Sequence, residues 1–87
     1  MIKLAGAERA ATTTHGASTN IDKATMVRCY NSGGTDRLIT VETATGNADI
    51  GTFTLKTKEV EYVDKNITDH MWAAHAEIKF APVIVMG

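Results

Sequence analysis

Residues 49–65 read DIGTFTLKTKEVEYVDK, and the fold class turns on them. Two alternating stretches flank a short charged run. In the first, Phe53 and Leu55 occupy odd positions; in the second, Val60 and Tyr62 occupy even ones. Successive side chains of a strand point to opposite faces, so alternation marks a half-buried strand. A slip of one residue moves every side chain to the other face. The stretch therefore reads as two strand segments, 50–55 and 59–63, meeting at a charged bend over 56–59. A single strand with a bulge would give the same change of phase. The bend holds neither Gly nor Pro, so its turn type is not specified. The predicted inward set is Phe53, Leu55, Val60 and Tyr62, with Thr52 and Thr54 outward.

Similar segments lie on both sides. Residues 23–30, KATMVRCY, place Thr25, Val27 and Cys29 on one face of a strand and Met26, Arg28 and Tyr30 on the other. Neither face is cleanly polar. After the turn cluster NSGGTD comes RLITVET (37–43), with Ile39, Val41 and Thr43 opposite Leu38, Thr40 and Glu42. Its β-branched residues suit a pleated, half-buried surface. Two strands joined this way read as a hairpin. A second turn cluster, ATGNAD, precedes the opening stretch. Beyond it, DKNITDHMWAAH (64–75) breaks the alternation; Asn66, Thr68 and Asp69 are helix N-cap types, so a short helical turn near 68–74 is expected to carry Met71 and Trp72. Ile78 and Phe80 then alternate with Glu77 and Lys79. Pro82 lacks a backbone donor, which predicts an edge or a bulge, and an apolar run closes the chain.

The first 22 residues differ. Ile2 to Leu4 reads as a short strand, but 5–20 is AGAERAATTTHGASTN, without large apolar anchors. The branched Thr12, Thr13 and Thr14 disfavour a helix. This is an extended N-terminal arm with a weak strand around 9–13, or else an ordinary irregular terminus. Short strands spaced by turn signals give the prediction: an all-β, small antiparallel β-sandwich or barrel over 23–87, with an extended arm over 1–22.

The totals narrow the function classes. With 87 residues the chain holds one domain. A chain this short has a small stability margin, and small scaffolds often add disulfides, a metal or partner subunits. Cys29 is the single cysteine, so no intrachain disulfide can form; partner subunits are the expected remedy. A net charge of -1 with no basic cluster gives no footprint for nucleic acid. No apolar run reaches the ~18 residues of a membrane span, and the start lacks the apolar core of a signal peptide, so use without secretion machinery is expected.

No constellation of catalytic residues stands out. His70 and His75 are five apart, a spacing that suits a shared site on neither a strand nor a helix; a three-ligand metal site would need His15 to fold back on them. Cys29 lies mid-strand in an apolar setting and reads as a small buried hydrophobe. Glu59 and Glu61 sit among Lys56, Lys58 and Lys65, as on a solvated rim. The NSGG turn lacks the lysine of a phosphate loop, and Asn66-Ile67-Thr68 is a sequon without a secretory signal. Trp72 reads equally as an interface aromatic or a core plug. No catalytic residue, cofactor or metal is expected.

The order of elements nevertheless resembles a family. MIKLAGAERAATTT leads into TMVRCYNSGGTDRLITVET, then IGTFTL, KTKEVEYVDK, NITDHMWAA and AEIKFAPVIV. Over most of 23–85 this is similar to small virion structural proteins of tailed bacteriophages, including marine and cyanobacterial phages, of capsid decoration or cement type. Neither Cys29 nor the histidines belong to the pattern. The resemblance implies a protein made in the host cytoplasm that binds the major capsid protein on the capsid exterior, with further copies of itself as possible partners. A neck, tail or fibre protein, or a carbohydrate-contacting module, is the alternative. The expected contact residues are Arg9, Thr12 and Thr14 of the arm, with Met26, Arg28, Tyr30 and Trp72. The arm could add a strand to a neighbour's sheet.

Overall fold

The alternation at 26–31 builds one wall of the core. In a computed structural model, which describes residues 2–13, 18–43 and 48–85, Val27, Cys29 and Asn31 are fully buried, while Met26, Arg28 and Tyr30 are half-buried on the opposite side of the same strand. The strands in chain order are β1 (Ile2–Leu4), β2 (Arg9–Ala10), β3 (Met26–Asn31), β4 (Arg37–Glu42), β5 (Asp49–Leu55), β6 (Val60–Asp64), β7 (His70–Ala73) and β8 (Ile78–Val85). Every pairing is antiparallel. One sheet runs β1-β8-β3-β6, with β2 also on β8; the other runs β5-β4-β7. The all-β antiparallel expectation is the observed class.

The two sheets close on one core. Val27, Cys29, Ile78 and Phe80 come from the five-stranded sheet; Ile39, Leu55, Met71 and Ala73 come from the three-stranded one. Phe53, Val41 and Val63 pack at its margin. Burying each large side chain stabilises by about 1.5–3 kcal/mol, so this cluster is the main favourable contribution to folding.

Five expectations are corrected, the last of them at Lys23. First, β3 and β4 are not a hairpin: they lie in different sheets. The reason is Asn31, whose side-chain amide donates to the carbonyls of Thr35 (2.8 Å) and Leu55 (3.0 Å) and accepts from the Gly33 N–H (3.0 Å). These bonds turn NSGGTD across the molecule instead of back along β3.

Second, 49–65 is two strands, but they too belong to different sheets. The turn between them carries Lys58 at φ 63° and closes with the Glu59 N–H on the Lys56 carbonyl (3.1 Å). The crossing resets the phase. Opposite Cys29 and Val27 stand Glu61 and Val63, so the core-facing parity of β6 is odd. Leu55 is buried and Phe53 partly so, as expected, but Val60 and Tyr62 are 39% and 41% exposed on the outer face.

Third, 68–74 holds no helical turn. Residues 66–69 form a tight turn, with the Asp69 N–H on the Asn66 carbonyl (3.0 Å) and the Asp69 carboxylate accepting from the Asn66 N–H (3.1 Å). β7 follows at once, because Met71 and Ala73 fill the core at a period of two. Fourth, Pro82 sits inside the central strand β8, paired with Val27. Its carbonyl accepts from the Ala5 N–H (2.9 Å), so its nitrogen also faces the first segment, in the gap between β1 and β2 where no ladder bond is needed.

The described part of the first segment is woven into the sheets. β1 and β2 pair with β8, the Ala11 N–H continues to the Ile78 carbonyl (2.8 Å), and the Thr12 carbonyl accepts from the Ala73 N–H (3.0 Å) on β7. Thr19 bridges Met71. Ile21, Asp22 and Lys23 then form one left-handed turn (φ 55°, 57° and 59°), held by the Asn20 side chain on the Lys23 N–H (3.1 Å). Each costs roughly 1–2 kcal/mol; the complete burial of Ile21 offsets part of this. Lys23 therefore belongs to a turn and not to the strand expected there.

Candidate functional site

The outer face of the five-stranded sheet gathers three of the expected contact residues. Met26, Arg28 and Tyr30 stand side by side on β3, and register places Val83, Ala81 and Lys79 of β8 and Asp64, Tyr62 and Val60 of β6 beside them. On the far side, β1 sets Leu4 against Val83. Arg28 lies 5.5 Å from the centre of the Tyr30 ring, a cation–π distance, and its guanidinium donates to Glu8 (3.1 Å). Val83 and Ala81 are each only 2% exposed, although they point away from the core, so their neighbours already cover them. Leu4 (67%), Ile2 (44%), Tyr62 and Val60 remain open around this centre. The face thus mixes apolar and charged groups, Arg28, Glu8, Lys79 and Asp64 among them, and its tyrosines and guanidinium are residue types enriched at protein interfaces. Sequence reading missed Val60 and Tyr62 because it assigned them to the core.

The other expected residues lie elsewhere. Arg9 is on β2 and pairs with Asp22 (2.5 Å), which holds the Asp22 carboxyl below its ordinary range through the side-chain hydrogen bond. Thr12 is half-buried, and its hydroxyl has no hydrogen-bond partner among the described residues. Thr14 and His15 fall outside the described residues. Trp72 is half-buried on β7, out of phase with Met71 and Ala73, so it sits on the outer side of the three-stranded sheet, away from Arg28 and Tyr30.

That second face carries a polar cluster the sequence did not announce. Glu42 is fully buried and stands opposite His70 in the ladder. The Ser18 hydroxyl donates to its carboxylate and lies 3.2 Å from His70 Nδ1. The Ser18 hydroxyl thus bridges Glu42 and His70. A Ser-His-acid hydrolase needs the imidazole between hydroxyl and carboxylate; here the hydroxyl is in the middle. The arrangement pins residues 18–19 to the edge of β7, together with the Met71 N–H on the Thr19 carbonyl (2.9 Å). Nothing in RLITVET distinguishes a buried Glu42 from a solvated one.

Cys29 is buried, and burial, with the Glu61 charge adding, pushes its thiol up to about 12. It is a packing residue. Lys65 is also drawn in: its ammonium donates to the carbonyls of Ala24 (2.7 Å) and Asn66 (3.3 Å), and burial lowers its pKa. Among the described residues no three His, Cys, Asp or Glu side chains are grouped to hold a metal ion, and no helix is long and apolar enough to cross a membrane. Comparison with family models, curated proteins and solved structures finds no match.

Proposed function

We propose that this protein is a virion structural component of a tailed bacteriophage, a decoration or cement protein that binds the major capsid protein lattice from outside and reinforces it. The observation that carries the reading is the outer face of the five-stranded sheet. Large apolar side chains stay open on both of its margins, Val60 and Tyr62 on β6 beside the Arg28–Tyr30 pair and Ile2 and Leu4 on β1 across β8. Large apolar side chains left in water on both margins of one sheet face, beside an aromatic and a guanidinium, have the composition of an interaction site. The resemblance of 23–85 to phage virion proteins supplies the partner. In this reading the protein works by surface and not by catalysis, takes no cofactor, and contacts neither nucleic acid nor membrane.

Mass spectrometry of purified particles tests the proposal. The chain should be present in numbers commensurate with the major capsid protein. Its absence from intact particles would sink the idea, and a few copies per particle would move it to the neck, tail or a fibre.

A further inference from the structure

Among the described residues β6 is the outermost strand of its sheet, and no strand pairs with its outer edge. The ladder to β3 uses the odd residues: the Asn31 N–H donates to the Glu59 carbonyl (3.1 Å), and the Lys65 N–H donates to the Thr25 carbonyl (2.9 Å). Within an antiparallel strand a residue's N–H and C=O point to one side and its neighbours' to the other. The backbone groups of Val60, Tyr62 and Asp64 therefore point away from the sheet. The Tyr62 N–H is met only loosely, by the carboxylate of the adjacent Glu61 at 3.3 Å. Such an edge is a template for another strand.

We infer that this edge pairs with the same edge of a second copy of the chain across a two-fold axis, centred on Val63. The register follows from charge. Outward backbone groups on even residues must meet even residues of the second copy, which leaves only steps of whole residues for the axis. An axis at Glu61 sets two carboxylates face to face, which is destabilising. An axis at Tyr62 sets Glu61 against an apolar valine. An axis at Val63 sets Val63 on the partner's Val63 and Glu61 on the partner's Lys65, while Tyr62 exchanges backbone hydrogen bonds with the partner's Asp64. Residues 61, 63 and 65 share one face and read Glu, Val, Lys, a pattern complementary to its own reversal. Lys65 is only 9% exposed, its Nζ donating to Ala24 and Asn66 with a third donor left, so the partner's exposed Glu61 is the side chain that swings to meet it. The pairing leaves the outer faces of both copies open side by side, so it stands independently of the proposed capsid role.

Sedimentation equilibrium of the full chain from about 10 μM to about 1 mM tests it, a range in which even weak association shows. The apparent mass should rise from 9.3 kDa toward twice that value. Glu61→Lys, which opposes the partner's Lys65, and Tyr62→Pro, which removes an edge N–H that the ladder to β3 does not use, should both hold the chain monomeric. A wild-type chain that stays monomeric at about 1 mM overturns the inference, as does a dimer unchanged by both substitutions. If either variant fails to fold, Val63→Cys in a Cys29→Ala background decides. Mild oxidation should link two chains through position 63, and failure to link them overturns the inference.

Discussion

Asn31 shows how one side chain sets topology. It is fully buried, yet its amide makes three hydrogen bonds, to Thr35, Leu55 and Gly33, so its burial is compensated. Asn31→Leu fills similar volume but strands those partners; the expected loss is about 2–4 kcal/mol in urea denaturation. Cys29 makes a different prediction. Its thiol ionises near 9.0 when unfolded and at about 12 when folded, so the folded state holds the proton longer. The sign follows: this contribution is intact below about pH 9 and is lost as pH rises toward about 12, by roughly 1.4 kcal/mol per pH unit. Stability measured from pH 7 to 10.5 should fall more steeply for the wild type than for Cys29→Ala. Equal slopes would show that the thiol is not buried.

At the scale of elements, strand existence was legible and strand partnership was not. The alternations around Val27, Ile39, Leu55 and Phe80 are period-two signals that any sheet would produce, and all four residues are core. Which strands meet was hidden because it rests on single hydrogen bonds in turns, such as those of Asn31, that carry no periodic signature. β6 was misread because VEYV has apolar residues on both parities; the ladder to Val27 and Cys29 chose Val63, and only pairing could tell. The candidate face was half legible: Met26, Arg28 and Tyr30 could be placed together from β3 alone, whereas Leu4, Val60 and Tyr62 join them through long-range register. The left-handed turn at Ile21, Asp22 and Lys23 had no glycine to announce it. Lys23 is exposed there, and Lys23→Gly should raise stability by about 0.5–1 kcal/mol in thermal or urea denaturation by removing the Cβ clash of a positive φ. Lys23→Val should lower it.

The whole molecule is a two-sheet scaffold whose faces differ. The outer side of the three-stranded sheet is partly sealed by Ser18, with Glu42 buried beneath it. The outer side of the five-stranded sheet keeps apolar margins open, and among the described residues no strand pairs with the outer edge of β6. In the proposed role these two features act together: the face would dock on the lattice, and the edge would join neighbouring copies. Substitutions on the open rim should leave folding alone, since Leu4 and Tyr62 contribute little to the core. The most direct measurement is therefore co-sedimentation of the purified protein with capsids that lack it, comparing the wild type with the double variant Leu4→Glu and Tyr62→Glu, both checked for native circular dichroism. The account predicts saturable binding by the wild type and at least about a tenfold loss, equivalent to about 1.4 kcal/mol, in the double variant. Equal binding by the two folded proteins, or no binding by the wild type, would contradict it.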